Sequence, residues 1–127
     1  MNIKAKGTNA ERELIHKFWA QGMACLRAAG SGSIRYPCPD LIVGNNVRKL
    51  AIEVKVSGSK YQHLTKKEIE ELQEFSNIFG AEPWVAVKFK QWYFLMLEDI
   101  KQTASNYSIS KELAERKGLS FEELIHL

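Results

Sequence analysis

Hydrophobic residues recur every three to four positions early in the chain, which is the period of an amphipathic helix. Leu14 and Phe18 mark the apolar face of this helix, which we predict over residues 9–21. Thr8, with Glu11 three residues later, fits a capping box, a side-chain pattern that often starts a helix. The pattern therefore predicts a helix that begins directly after Thr8.

A second capping-box pattern, Thr65 with Glu68, opens another predicted helix. We expect this helix to end at Gly80, because glycine readily adopts the left-handed backbone conformation that stops helices. Its hydrophobic residues share one side at helical spacing, and they are Ile69, Leu72, Phe75 and Phe79.

Short hydrophobic runs bounded by Gly, Pro, Asn or Ser predict five strands. These runs are residues 23–28, 40–44, 48–56, 84–89 and 92–97. Two polar stretches rich in Gly and Ser, 30–39 and 57–64, are predicted loops, and 108–127 is predicted as one or two short helices. Because strands and helices alternate, we predict an α/β fold with a mixed sheet of about five strands flanked by helices.

Length and composition limit the classes of protein. The chain has 127 residues, 45% of them hydrophobic, which suits one domain over residues 1–127 and excludes wholesale disorder. No apolar run approaches the roughly 18 residues that a membrane span needs. The N-terminal residues lack the apolar stretch of a secretory signal, so we expect a cytoplasmic protein with Cys25 and Cys38 as free thiols.

Charge is unevenly distributed along the chain. Residues 1–67 carry 12 Lys and Arg against four acids, a net charge of +8, whereas residues 68–127 carry six against 11, a net charge of −5. The halves together give the overall charge of +3. Such a basic half indicates a polyanionic partner such as DNA, although a solvated surface would look the same on charge alone.

Two of the four acids in the basic half fall on the hairpin predicted over residues 40–56. Side chains alternate along a strand, so Glu53 and Lys55 share one face. A two-residue turn would place Asp40 diagonal to Glu53, and a four-residue turn would place it directly opposite. Both registers bring the two carboxylates within roughly 5–8 Å at Cβ.

Two neighbouring carboxylates repel each other unless a cation lies between them. Asp and Glu oxygens are ligands that Mg²⁺ accepts, and a bound metal polarises a phosphate and activates water. We therefore predict that Asp40 and Glu53, with the backbone carbonyl of Val54, hold a metal, and that Lys55 assists the attacking water. The alternative is a simple solvent-facing ion pair on a strand.

Glu11 is predicted to be a third member of this metal site. It lies on the same helical stripe as Leu14 and Phe18, which faces the sheet. The alternative is that Glu11 only caps the helix, and the two roles are compatible.

The pair Pro39-Asp40, followed thirteen residues after the aspartate by Glu53-Val54-Lys55, fits the PD-(D/E)xK nuclease pattern. The segments GTNAERELI, LRAAGSGS, PDLIVG, AIEVKV, EFSNIFG and AVKF, in this order, resemble the archaeal Holliday junction resolvases over roughly residues 5–95. The part of the chain after about residue 97 matches no motif.

This resemblance implies a restriction-endonuclease-like fold and a homodimer that cuts four-way DNA junctions with Mg²⁺, for which Mn²⁺ can substitute. The matching active-site positions are Glu11, Asp40, Glu53, Lys55 and Ser31. The matching DNA-binding positions are Arg12, Arg27 and Lys88, and Ser31 and Arg35 lie in the loop that could contact phosphates. Phe75 and Phe79 match aromatic positions of the dimer or junction surface, with the helix core as their alternative.

Two other functions remain open at the level of sequence. The same site could serve a repair nuclease that acts on flaps or duplex DNA, because junction selectivity depends on dimer geometry. A DNA-binding module without catalysis is the second alternative. Against it, three acids facing a polyanion would weaken binding unless a metal offset them.

Overall fold

The computed structural model describes residues 3–28 and 34–127. Its helices and strands follow one another as α1 (Ile3–Ala20), β1 (Ala24–Arg27), β2 (Leu41–Gly44), β3 (Lys49–Val56), β4 (Tyr61–Thr65), α2 (Lys66–Phe79), β5 (Glu82–Lys88), β6 (Trp92–Leu95), β7 (Lys101–Gln102), β8 (Asn106–Ser110), α3 (Lys111–Lys117) and α4 (Phe121–Ile125). Within these described residues, no helix combines the length and the apolar character needed to cross a bilayer.

Five strands form one mixed sheet, in the order β1-β2-β3-β5-β6. Strands β3 and β5 are parallel, and the other neighbours are antiparallel. Strands β1, β2 and β3 are antiparallel in turn, the chain then crosses over through β4 and α2 to β5, and β5 and β6 form a hairpin. The predicted mixed sheet of five strands with flanking helices is confirmed.

Helices α1 and α2 cover opposite faces of this sheet. Leu14 and Phe18 of α1 pack in a core that also contains Ile52 of β3. Leu72 of α2 packs in a second core with Ala51, the neighbour of Ile52 on the same strand. Alternate residues of β3 therefore face different helices, and the face that carries Glu53 and Lys55 is the one that α2 covers.

The turn between β2 and β3 has four residues, 45–48, since Gly44 pairs with Lys49. The side-chain oxygen of Asn45 accepts hydrogen bonds of 2.8 Å from the backbone N–H groups of Val47 and Arg48, which closes the turn. Of the two turn lengths that the sequence left open, the structure has the four-residue turn; the register runs to Leu41 opposite Ile52, and Asp40, directly before Leu41, also donates its backbone N–H to the Ile52 carbonyl.

Helix α1 starts at Ile3, so the predicted start after Thr8 is wrong. Thr8 and Glu11 lie inside the helix and form no capping box there, because the backbone N–H groups of that turn already have helical partners. The capping interpretation of Glu11 is therefore excluded. By contrast, Thr65 and Glu68 do form a capping box at α2, and Gly80 ends that helix with φ 82°.

A second, three-stranded sheet, in the order β4-β8-β7, was not predicted. Residues 61–64 were expected to be part of a loop, and residues 108–110 were assigned to a helix, yet both belong to strands. The strands are mainly polar and exposed, with only Leu64 and Ile109 fully buried, so their local pattern carries little strand signal. The short helices expected near the C-terminus are present as α3 and α4.

Arg48 ties the β2–β3 turn to two distant parts of the chain. Its Nε and Nη2 each donate to a carboxylate oxygen of Glu82 at 2.8 Å, and its Nη1 donates to the carbonyl of Leu124 at 2.7 Å. The Arg48 side chain is only 15% exposed, whereas that of Glu82 is 39% exposed. The guanidinium thus links the turn to the start of β5 and to α4.

We expect Glu82→Gln to lower the free energy of unfolding at pH 7 by about 1 kcal/mol, a value reduced by solvent screening at this half-exposed carboxylate. The hydrogen bond from Arg48 lowers the pKa of Glu82 below its ordinary 4.5. The stabilisation is therefore present above about pH 4.5 and is lost as the pH falls through the lower folded-state pKa. Urea unfolding at pH 7 and pH 3 measures this, with Glu98→Gln as the control. A difference from wild type that is equally large at pH 3 would contradict it.

Candidate active site

Asp40 stands directly before β2 and continues the pairing with β3. Its backbone N–H donates to the Ile52 carbonyl at 3.0 Å, and its Oδ2 accepts a hydrogen bond of 2.8 Å from the backbone N–H of Val54. The side chain thus takes the place of a strand carbonyl in the ladder, which fixes the direction of the carboxylate. Val54 contributes its N–H to this contact, and the predicted metal-binding role of its carbonyl stays a prediction.

The Glu53 carboxyl group lies close enough to Asp40 for the two groups to interact electrostatically. Burial raises the pKa of Glu53 far above its ordinary value, and the charge of Asp40 raises it further. The same environment raises the pKa of the Cys38 thiol through burial and through the charges of Asp40 and Glu53. The negative potential here is what a bound cation would offset, so this pair of oxygen donors fits a divalent metal.

Lys55 reaches the same place from the next position on this face of β3. Its Nζ lies 3.7 Å from Oε2 of Glu53 and 2.5 Å from Oε2 of Glu68. Burial alone would lower the pKa of Lys55, but the hydrogen bond and charge of Glu68, with the charges of Glu53 and Asp40, raise it above its ordinary value. Lys55 is therefore held as an ammonium beside the carboxylate pair.

Glu68 is the residue of this site that the sequence reasoning missed. It had been explained as the third residue of the α2 capping box, and that explanation used only one of its two carboxylate oxygens. The connection from β3 back to β5 brings the first turns of α2 over the face that carries Glu53 and Lys55. A cavity of about 270 Å³ results, with strand and helix residues in its lining, including Asp40, Glu53, Glu68 and Glu71.

Glu11 approaches from the other helix, α1. Its Oε1 accepts a hydrogen bond of 2.5 Å from Nε of Arg27, at the end of β1. Burial raises the pKa of Glu11; the hydrogen bond from Arg27 opposes this, and the charge of Asp40 adds to it. Glu11 thus lies within electrostatic reach of Asp40 while being paired with Arg27.

Among residues 3–28 and 34–127, no cluster of three or more His, Cys, Asp or Glu side chains has the arrangement of a metal site. The structure brings Asp40 and Glu53 together, with Lys55 and Glu68 beside them, and leaves Glu11 on Arg27. The role of Glu11 as a third metal ligand stays a prediction. It would require the carboxylate to exchange Arg27 for the metal.

The predicted DNA-contacting residues differ in their surroundings. Arg12 and Arg35 are exposed. Nζ of Lys88, at the end of β5, donates to Oε2 of Glu13 at 2.7 Å, and Nε1 of Trp92 donates to the other oxygen of Glu13 at the same distance. Ser31, predicted as a catalytic and DNA-binding residue, lies outside the described residues.

Most aromatic residues of β5 and β6 lie in the core and not on the surface. Trp84, Trp92 and Phe94 are at most 7% exposed. Phe75 is partly buried against the α2 core, whereas Phe79, stacked on it at 5.3 Å between ring centroids, is 45% exposed. Of the two phenylalanines matched to the family, Phe79 is the one on the surface.

Comparison with known proteins gives a consistent result. The family model described as archaeal Holliday junction resolvase (Hjc) matches residues 2–127. The crossover junction endodeoxyribonuclease Hjc of Archaeoglobus fulgidus is 39% identical over 130 residues, covering 95% of this chain and 96% of the relative. The enzyme of the same name from Methanocaldococcus jannaschii is 33% identical, covering 94% of this chain and 86% of the relative.

The solved structure of Archaeoglobus fulgidus Hjc, a Holliday junction resolvase, superposes with a TM-score of 0.87 at 37% identity. It covers 93% of this chain and 97% of that chain. The predicted restriction-endonuclease-like fold is confirmed by this match. The family match includes the segment after residue 97, in which no motif was recognised from the sequence alone. The chain therefore belongs to the archaeal Holliday junction resolvase family.

Proposed function

We propose that this protein is an endonuclease that resolves four-way DNA junctions by paired symmetric nicks. The observation that carries the proposal is the half-buried Asp40–Glu53 pair with the Lys55 ammonium beside it, at the position of the PD-(D/E)xK motif. Family membership implies binding of junction DNA and dependence on a divalent metal. We propose Mg²⁺ as the ion, with Mn²⁺ able to substitute.

Asp40 and Glu53 are the residues that would hold the metal. When bound, it would polarise the scissile phosphate and lower the pKa of the attacking water. The backbone N–H of Val54 orients the Asp40 carboxylate, so this ligand is held in place before DNA arrives. Lys55 presents a fixed positive charge that stabilises the additional negative charge on the phosphate in the transition state.

The basic side chains around the site would bind the phosphates of the junction arms. Arg27 and Lys88 are each paired with a carboxylate of α1, Glu11 and Glu13. When DNA binds, a phosphate would replace the carboxylate as the partner of each cation, so that Arg27 and Lys88 stay paired. We therefore propose Arg12, Arg27, Arg35 and Lys88 as DNA-contacting residues, with Ser31 as a further candidate.

A labelled four-way junction tests the function directly, compared with a flap and a linear duplex of the same sequence. We expect cuts at symmetric positions in two opposing strands, in Mg²⁺ or Mn²⁺ and not in EDTA. Preferential cutting of the flap or the duplex would overturn junction selectivity. Junction binding without cutting in either metal would favour the non-catalytic alternative.

Two nicks at a fixed separation need two active sites, so we propose that the protein acts as a homodimer. An apolar surface beside the edge strand β1 supports this. Trp19 and Leu26 are about 60% exposed, and together with Phe79 they line a shallow cavity of about 210 Å³. An apolar surface of this kind marks a site of protein association.

We expect Leu26→Glu to separate the dimer, because it places a charge in the centre of this apolar surface. Light scattering should then give the mass of one chain, 14.5 kDa, in place of two. The variant should cut only one strand of a junction at a time, without the paired cuts in two opposing strands. Ile78→Glu is the control, because Ile78 is exposed on another flank of α2. If the dimer persists in Leu26→Glu and is lost in Ile78→Glu, the interface includes Ile78 and not the surface around Leu26.

We also propose that residues 1–127 act as a single nuclease domain in the cytoplasm. Two observations support this: one continuous sheet runs from β1 to β6, and Cys25 and Cys38 are free thiols. A reducing compartment that contains chromosomal DNA suits both the thiols and the substrate.

A further inference from the structure

Both oxygens of the Glu68 carboxylate are engaged, and by different parts of the protein. Oε1 accepts a hydrogen bond of 2.9 Å from the backbone N–H of Thr65, and the Thr65 hydroxyl accepts one of 3.0 Å from the N–H of Glu68. Oε2 accepts a hydrogen bond of 2.5 Å from Nζ of Lys55. The capping box thus fixes the rotamer of Glu68, and the fixed carboxylate holds the lysine.

Without Glu68, Lys55 would have a different neighbour. A lysine side chain has four flexible methylene groups and a charge that can turn toward any nearby anion. The next carboxylate oxygen near its Nζ is Oε2 of Glu53, at 3.7 Å. An ammonium that moved onto Glu53 would compete with the metal for a carboxylate that should bind it. Glu68 therefore keeps Lys55 close to the carboxylate pair and prevents its collapse onto Glu53.

The capping function alone does not require this arrangement. At the start of α4, Ser120 and Glu123 form the same box, with hydrogen bonds of 2.9 and 3.1 Å. Glu123 is solvent-exposed and distant in sequence from the site, whereas the Glu68 side chain is 30% exposed and faces a Lys55 side chain that is 22% exposed. The partly buried ion pair is an addition to the cap, and it is directed into the cavity that holds Asp40 and Glu53.

We propose that Glu68 is a positioning residue of the cleavage reaction, which acts by holding the Lys55 ammonium beside the Asp40–Glu53 pair. This inference rests on the proposed nuclease function and adds a residue of α2 to the PD-(D/E)xK positions, which are Asp40 before β2 and Glu53 and Lys55 on β3. Helix α2 then has a defined role, since its first turn sets the position of the lysine.

Glu68→Gln tests the proposal with little disturbance of the helix, because glutamine also serves as the third residue of a capping box. The variant keeps an oxygen that can accept from the Thr65 N–H, and it loses the negative charge of Glu68 that faces the Lys55 ammonium. The single-turnover cleavage rate at saturating protein should fall about 10- to 100-fold, as for other residues that orient an active-site group. The Kd for junction DNA should stay within about twofold, and the Mg²⁺ concentration for half-maximal rate should rise.

Glu123→Gln is the matched control, with the same chemical change at the same position of the other capping box. It should leave the cleavage rate, the Kd and the urea midpoint unchanged. A Glu68→Gln enzyme that cleaves at the wild-type rate would overturn the inference while leaving the nuclease function intact. A loss of rate in Glu68→Gln that is explained by a fraction of unfolded protein under the assay conditions, measured by circular dichroism, would also overturn it, because the role would then be structural. A wild-type protein that cuts no junction would overturn the function itself.

Discussion

Replacing Asp40 with Asn should abolish junction cleavage while preserving junction binding. The amide keeps the shape and the hydrogen bond to the Val54 N–H, but it removes one of the two charges that would hold the metal. We expect the single-turnover cleavage rate to fall by at least about a thousandfold, which corresponds to roughly 4 kcal/mol of transition-state stabilisation. Binding should persist or strengthen, because the variant presents one negative charge fewer to the DNA phosphates. Gel-shift and cleavage assays on the same junction measure both.

Asp99→Asn is the control for this experiment, since Asp99 is the only other aspartate of the chain and lies in the short 3-10 helix Leu97–Asp99. A second measurement separates chemistry from folding. Because Asp40 raises the pKa of the buried Glu53, loss of its charge relieves repulsion in the folded state. The Asp40→Asn protein should therefore unfold at a higher urea concentration than wild type in EDTA. Near-normal cleavage by this variant in Mg²⁺ would show that the metal site lies elsewhere.

Gly118→Ala should destabilise the protein by about 2 kcal/mol, the range seen when a methyl group is forced into a filled space. A Cβ at this position would lie 2.5 Å from the carbonyl oxygen of Ala114 and 3.1 Å from Cβ of Tyr93. Both neighbours are constrained. The Ala114 carbonyl accepts the hydrogen bond that ends α3, and the residue after Gly118, Leu119, exchanges two backbone hydrogen bonds of 2.8 Å with Phe94 of β6.

Thermal unfolding measures this effect, with an expected decrease in Tm of roughly 6–10 °C for a domain of this size. Gly58→Ala is the matched control, because a Cβ there meets nothing within 4 Å. That variant should be neutral or slightly stabilising, since it restricts the unfolded chain. If both variants unfold at the same temperature, the close approach at Gly118 is relieved by a small backbone shift and the packing argument fails.

Much of the central sheet could be predicted because its signals are local. The buried strands are hydrophobic runs, and the hairpin geometry places Asp40 and Glu53 on one face for either turn length considered. The structure adds the turn length itself, which depends on the Asn45 side chain closing a four-residue turn. The position of the carboxylate pair followed from the alternation of side chains along a strand.

The failures have a common cause, which is dependence on contacts distant in sequence. Strand β4 is polar, and only its pairing with β8 some 45 residues later identifies it as a strand. The start of α1 was misplaced because the Thr8–Glu11 spacing also occurs inside helices. The partner of Glu11 could not be inferred from α1 alone, since Arg27 reaches it from β1. Glu68 was found for the correct local reason, yet its second oxygen serves a lysine on another element.

The pairing of β4 with β8 has a consequence for the C-terminal third of the chain. Strand β4 leads directly into α2, and its hydrogen-bonded neighbour β8 leads directly into α3. Residues beyond 100 thus anchor the segment from which Glu68 projects, although none of them lines the cavity that contains Asp40, Glu53 and Glu68. Mutation or proteolysis of the residues beyond 100 should therefore slow DNA cleavage without touching the site. Such changes would weaken the packing of β4 and α2, and α2 carries the Glu68 that we propose to position Lys55.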